Sequence, residues 1–138
     1  MKVAVRYFSK SGNTKRVAGA IARAAGCKAK SIPAPLEEPV GVLFLGASEY
    51  AGDVSQKVKV YVRTLTPDLV GKVVIFSTSA MTKKVYPKLS KRLTDRGIEV
   101  EERYFYCPGK FLFFHGGHPN KKDLKDAQNF VKDILKED

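Results

Sequence analysis

The first feature that could do chemistry is a polar six-residue segment, which reads Ser9-Lys10-Ser11-Gly12-Asn13-Thr14. Gly12 lets the backbone turn tightly and approach an anion closely. The hydroxyl groups of Ser9, Ser11 and Thr14 are donors that suit a phosphate, and a helix starting here would add unpaired N–H groups and a positive dipole end. The Walker and GxGxxG patterns are absent, which argues against a nucleoside triphosphate or a Rossmann-bound dinucleotide. The segment predicts a phosphate-binding turn, with an ordinary polar turn as the alternative.

The elements that must position this turn alternate between strand-like and helix-like runs, as in βαβ units around a parallel sheet. The predicted strands cover residues 2–8, 28–32, 40–46, 72–78 and 98–106. The first predicted helix covers 12–25, the second begins at Asp53 as N-cap and stops at Thr66-Pro67, the third ends near Arg96, and the last opens at Asn120. Gln56 would complete a capping box with Asp53. The whole chain, residues 1–138, is predicted to form one α/β domain.

The six-residue segment resembles the phosphate loop of flavodoxins, in which two hydroxyl residues flank one position and are followed by glycine, any residue and threonine. Here those places are filled by Ser9, Ser11, Gly12 and Thr14. The resemblance implies that the loop holds the phosphate of flavin mononucleotide (FMN). It also implies a three-layer, doubly wound, five-stranded parallel sheet in the order 2-1-3-4-5, with the loops after strands one, three and four converging on the ligand.

The segment after the third predicted strand resembles the loop that runs along the flavin ring in that family. It reads Ala47-Ser48-Glu49-Tyr50-Ala51-Gly52-Asp53. In flavodoxins a peptide near the glycine turns its carbonyl toward flavin N5 on reduction, and Gly52 would make such a turn easy because it tolerates positive φ. Tyr50 could stack on the ring. The alternative is a surface loop with an ordinary helix cap.

The segment after the fourth predicted strand matches the second ring-flanking loop by position, with Thr78, Ser79, Ala80 and Met81 offering backbone N–H groups to the ring carbonyls. It departs from many flavodoxins, which carry an aromatic residue and a Gly-Asp pair here. The chain has no Trp, so the usual pair of aromatic residues around the ring is in doubt. Candidates to replace them are Tyr86, Phe111 and Phe113, although the two phenylalanines suit the core equally well. The site is then either more open than usual or closed by residues 107–119.

The chain carries 25 Lys and Arg against 14 Asp and Glu, a net charge of +11. This excess favours an anionic partner. No apolar run approaches the roughly 20 residues that a membrane-spanning helix needs, and no signal-peptide pattern is visible at the N-terminus. Cys27 and Cys107 are isolated, as expected of reduced thiols in the cytoplasm. His115 and His118 lack the further ligands that a metal site needs.

The resemblance therefore predicts an FMN-binding electron carrier in which the redox chemistry belongs to the flavin and no side chain is catalytic. We expect its redox partner to be a protein with an acidic docking surface. Two other functions stay open. One is an FMN-dependent reductase of quinone-type acceptors fed by NADH or NADPH. The other is a basic binding module without flavin, for which no nucleic-acid signature appears in the sequence.

Overall fold

The computed structural model describes residues 1–50, 53–79, 84–108 and 117–136. The described residues form six strands and four helices, which are β1 Val3–Tyr7, α1 Asn13–Ala25, β2 Ala29–Ser31, β3 Val40–Tyr50, β4 Asp53–Val54, α2 Gln56–Val62, β5 Val70–Ser79, α3 Val85–Thr94, β6 Phe105–Pro108 and α4 Lys121–Lys136. No helix within these ranges is both long and apolar enough to cross a membrane.

Five of the strands are parallel and lie side by side in the order β2-β1-β3-β5-β6. Counted along the chain without β4, this is the predicted order 2-1-3-4-5. The difference lies in β4, which pairs antiparallel with the end of β3 and makes the sheet six-stranded. It arises because β3 continues beyond the predicted end at residue 46 and forms a short hairpin with Asp53 and Val54.

Two separate hydrophobic clusters, one on each face of the sheet, produce the predicted three layers. One cluster joins the sheet to α2 and α3, for example through Val58 and Leu89, and the other joins it to α1 and α4, for example through Ile21 and Val131. The central strands β3 and β5 contribute to both clusters because successive side chains point to opposite faces. The α/β, doubly wound fold is confirmed.

The start of the second helix differs from the prediction. Asp53 is a strand residue, and its carboxylate pairs with Lys59 at 2.7 Å instead of capping the helix. The N-cap is Ser55, whose Oγ accepts a hydrogen bond from the Val58 amide at 3.4 Å. The prediction of Asp53 and Gln56 as a capping box is wrong because the backbone of Asp53 pairs with Tyr50 across the hairpin.

Two element ends also differ. Helix α2 stops at Val62, although Leu65 beyond it remains buried. The predicted strand 98–106 is replaced by one isolated bridge at Val100 and the shorter strand β6. The interruption follows from Glu101, whose carboxylate accepts hydrogen bonds from the Arg103 amide at 3.0 Å and the Arg103 guanidinium at 2.8 Å. These bonds fold the chain locally instead of extending the strand.

Candidate functional site

The predicted phosphate turn lies between β1 and α1, at the edge where the parallel strands end. Gly12 has φ +93° and ψ −8°, a left-handed conformation that favours glycine. Its amide donates a hydrogen bond to Ser9 Oγ at 3.0 Å, which closes the turn on itself. Gly12 is the N-cap of α1 and, having no side chain, makes no side-chain capping hydrogen bond of its own. The positive end of that helix therefore faces the turn, where no Asp or Glu stands in the first turn of α1 to neutralise it.

Space for a ligand exists beside this turn. A Cβ added at Gly12 would have no atom within 4 Å. In the same turn, Ser11 is exposed and Ser9 is half-buried, so both side chains are partly accessible to solvent. Lys10 in the turn and Lys15 and Arg16 in the first turn of α1 are exposed. The combination of open backbone, hydroxyl donors, cations and a helix N-terminus fits a phosphate.

Behind the turn, three hydroxyl groups from three segments meet. Thr14 Oγ1 lies 2.8 Å from Ser48 Oγ and 2.8 Å from Thr78 Oγ1, and the last two atoms are 3.0 Å apart. We call this set the hydroxyl triangle. Thr14 is 1% exposed and Thr78 is 2% exposed. The structure thus brings together three residues that the sequence predicted as ligand-binding, but it places two of them beneath the surface.

On the opposite face of the sheet, an aromatic residue, Tyr106, lies at the same edge. Because side chains alternate along a strand, Glu49 and Ser77 point away from the hydroxyl triangle. Tyr106, which pairs in register with Ser77, is half-buried on that side. Burial raises the pKa of the Tyr106 phenol, and the charges of Cys107 and Glu49 add to the rise.

Tyr106 is an aromatic residue at the site edge that the sequence reasoning missed. The signal was the alternation along the last strand, where Phe105 and Cys107 are buried and the residue between them faces the other way. Tyr86, one of the candidates from the sequence, is engaged elsewhere: its ring stacks on Tyr104 with centroids 4.5 Å apart. The remaining two candidates, Phe111 and Phe113, lie outside the described residues.

Other predicted site residues are placed as follows. Lys10 is exposed at the tip of the turn, and Asn13 is the first residue of α1. Tyr50 and Ser79 are the last residues of β3 and β5. The remaining members of the two ring-flanking loops lie outside the described residues, namely Ala51, Gly52, Ala80 and Met81.

The Cys107 thiol and the His118 imidazole lie near this edge, and their structural surroundings account for both. Burial, with the negative charge of Asp123, raises the pKa of the Cys107 thiol to about 12, so the thiol stays protonated at neutral pH. His118 Nδ1 lies 2.6 Å from the Asp123 carboxylate, beside the first turn of α4, where Asn120 and Asp123 cap each other. Among the described residues, no group of three His, Cys, Asp or Glu side chains could hold a metal ion.

Known proteins resemble this chain in structure and not in sequence. No protein-family model and no curated protein matches the sequence. Among solved structures, oxidised flavodoxin 2 from Bacillus cereus is 16% identical with a TM-score of 0.75, and the match covers 100% of both chains. A flavodoxin from the domain Archaea is 17% identical with a TM-score of 0.72, over 99% of this chain and 98% of that one.

A longer protein contains the same fold as one of its parts. The rubredoxin:oxygen oxidoreductase of Desulfovibrio gigas is 17% identical with a TM-score of 0.71, and the match covers 98% of this chain but 35% of that one. This chain therefore spans about a third of that relative. At such identities the likeness establishes the architecture, and the chain has a flavodoxin-like fold.

Proposed function

We propose that this protein binds FMN, with the phosphate at the turn formed by Ser9 to Gly12 and the first turn of α1. The observation that carries the proposal is the left-handed Gly12, which closes the turn onto Ser9 Oγ and leaves open space beside its own Cα. An ordinary polar turn does not need an exposed helix N-terminus and open space on the same side. The flavodoxin-like fold supports the proposal because ligands of open parallel sheets bind at this edge.

Each residue of the turn would have a separate role. Ser9 Oγ accepts the Gly12 amide, so its own proton is left to donate to a phosphate oxygen. Ser11 presents a second, exposed hydroxyl group. Lys10, Lys15 and Arg16 add positive charge around a dianion, and the amides of the first turn of α1 supply directional donors.

Equilibrium titration of the apoprotein tests the proposal. FMN should bind at micromolar or lower concentration, and riboflavin, which lacks the phosphate, should bind at least tenfold more weakly. That ratio corresponds to the roughly 1.5–3 kcal/mol of one charge-assisted hydrogen bond. Inorganic phosphate should compete with FMN. A protein that ignores FMN, or that binds riboflavin equally well, would exclude a phosphate-anchored flavin.

We propose one-electron transfer as the activity. The bound flavin would supply the redox chemistry, while the chain would bind it, shield it and set the local charge. One net positive charge at about 10 Å and an effective dielectric of about 20 contributes about 1.7 kcal/mol, or about 70 mV for a one-electron step. The net charge of +11 should therefore raise the potential of the second one-electron step above that of acidic flavodoxins.

Two measurements separate this activity from the reductase alternative. Spectroelectrochemistry should give a second potential above the range of acidic flavodoxins, and a value as low as theirs would contradict the charge argument. Rapid mixing with NADH and NADPH should give slow flavin reduction. Fast direct reduction would assign the protein to the FMN-dependent reductases, and a colourless protein that binds nucleic acid would instead make it a basic binding module.

We further propose that the redox partner presents an acidic docking surface. Exposed Lys15 and Lys84 lie at the starts of α1 and α3, and exposed Lys10 lies in the turn that precedes α1. The reduced holoprotein should therefore react faster with anionic ferricyanide than with a cationic cobalt(III) hexaammine oxidant after correction for driving force. The ferricyanide rate should fall with added salt. Equal salt dependence for both oxidants would speak against this partner class.

The compartment is part of the same proposal. Cys27 and Cys107 are free thiols in the structure. Free thiols fit a reducing compartment, and we propose the cytoplasm. Fractionation of the native host would place the protein in the soluble cytoplasmic fraction, and recovery from an oxidising compartment would overturn the assignment.

A further inference from the structure

Thr78 is a buried residue of the candidate site whose side chain touches two other segments of it. It is 2% exposed near the end of β5, and its Oγ1 lies 2.8 Å from Thr14 Oγ1 and 3.0 Å from Ser48 Oγ. Thr14 belongs to the first turn of α1, and Ser48 belongs to the end of β3. A side chain so enclosed is in no position to hydrogen-bond a ligand in the open space beside Gly12.

The three hydroxyl protons of the triangle are enough to link its three segments. Each hydroxyl group has one proton to donate, and the triangle has three O···O contacts. If all three contacts are hydrogen bonds, all three protons are used inside the triangle and each oxygen also accepts once. The three segments are then fixed to one another by a closed ring of neutral hydrogen bonds, which is satisfied without water.

We propose that Thr78 is a positioning residue for the phosphate site, acting through Thr14 and Ser48 without touching the ligand. This inference rests on the proposed function. Without the Thr78 hydroxyl, Thr14 and Ser48 keep one contact between them, but the start of α1 loses its hydrogen bond to β5. The amides of that first turn would then be less well ordered toward the phosphate, while the surroundings of the flavin ring would be unchanged.

The test compares three variants. Thr78→Val keeps the shape and removes the hydroxyl, and Thr78→Ser keeps the hydroxyl. Thr64→Val is the matched control because Thr64 also loses a hydrogen bond, at 2.7 Å to the Tyr61 carbonyl, on the turn after α2. Thr78→Val should weaken FMN binding about tenfold and riboflavin binding by less than twofold. Thr78→Ser should restore most of the FMN affinity, and Thr64→Val should leave both affinities unchanged.

A second readout does not depend on the flavin. Amide hydrogen exchange of the apoprotein should show faster exchange at residues 11–15 in Thr78→Val than in the wild type and in Thr64→Val, with β1 unaffected. Equal losses of FMN and riboflavin affinity, or unchanged exchange at residues 11–15, would overturn the positioning role. If the wild type failed to bind FMN, the proposed function would be wrong. Amide exchange at residues 11–15 would still test the role of Thr78: faster exchange in Thr78→Val would show that Thr78 holds the turn, and unchanged exchange would show that it does not.

Discussion

Replacing Gly12 by alanine tests the phosphate turn most directly. Gly12 has φ +93°, and the added methyl group would meet no atom within 4 Å. The cost to the apoprotein is therefore confined to the backbone, because an alanine disfavours this conformation by about 1–2 kcal/mol. The free energy of unfolding should fall by that amount. The methyl group would, however, stand in the open space where we place the phosphate.

The chain offers a matched control at the other end of the same helix. Gly26 has φ +74° and also has no atom within 4 Å of an added Cβ. Gly26→Ala should therefore cost a similar 1–2 kcal/mol, again about the preference for left-handed backbone. Gly26 lies at the C-terminal end of α1, at the opposite edge of the sheet from the turn. Any loss of FMN affinity in Gly12→Ala beyond that in Gly26→Ala reports on the phosphate alone.

The expected difference follows from the donors that the methyl group would displace. Loss of one charge-assisted hydrogen bond to the phosphate costs about 1.5–3 kcal/mol, which weakens FMN binding roughly ten- to a hundredfold. Riboflavin affinity should change by less than twofold. Urea denaturation of the apoproteins and fluorescence titration with both flavins measure the two effects. If Gly12→Ala bound FMN as tightly as Gly26→Ala, the phosphate could not lie beside Gly12.

Further predictions concern the framework. Gly46→Ala should lower the free energy of unfolding by about 1–3 kcal/mol, because its Cβ would overlap the fully buried Phe76 ring. Gly19→Ala should instead raise the free energy of unfolding by about 0.5–1 kcal/mol, because the added Cβ meets its nearest atom at 3.7 Å. Urea denaturation measures both effects, and a Gly19→Ala variant that is less stable than Gly46→Ala would contradict this packing. Ser55→Ala should cost about 1 kcal/mol by removing the N-cap of α2, and an unchanged urea midpoint would argue against that cap. The pKa of Glu101 is lowered from 4.5 to about 2, chiefly by its arginine neighbour, so its stabilisation is complete above about pH 5 and lost toward pH 2. Glu101→Gln should therefore be less stable than the wild type at neutral pH and equal to it near pH 2 in thermal denaturation.

The turn and the central strands could be predicted because their signals are local. A glycine flanked by hydroxyl residues between a strand-like and a helix-like run specifies a turn without reference to the rest of the chain. The runs that became β3 and β5 are apolar almost throughout, as expected of strands covered on both faces. Strict alternation of strands and helices then leaves few topologies, and the flavodoxin-like order is one of them.

The errors fall where pairing between distant segments decides the outcome. Asp53 and Ser55 are both good N-caps by residue type, and the sequence alone does not choose between them. The hairpin with β3 takes the backbone of Asp53, so the cap moves to Ser55. The last strand was placed too early because the local bonds of Glu101 to Arg103 compete with the sheet at that position.

The hydroxyl triangle could not be predicted from the sequence, again because it depends on pairing between distant segments. Thr14 and Thr78 are separated by 64 positions, and Thr14 and Ser48 by 34. The sequence identified Thr14 as a candidate phosphate donor, and the resemblance to flavodoxins made Ser48 and Thr78 candidates as members of the two ring-flanking loops. Their burial against one another becomes visible only when the sheet register places Ser48 beside Thr78.

The hydroxyl triangle fixes the phosphate turn without contributing to the electrostatic potential at the ligand. Its three groups are neutral and satisfy one another, so fixing the turn requires no buried charge and adds none to the field at the ligand. Charge at the site edge then comes from groups nearer the surface, such as Lys10 and Glu49. The anchoring of the turn and the electrostatic potential are therefore set by different residues. Substitutions at Thr78 should change the phosphate-dependent affinity and leave a bound flavin's potential unmoved, whereas charge reversal at Lys10 should change both, because its charge acts on the phosphate and on the ring alike.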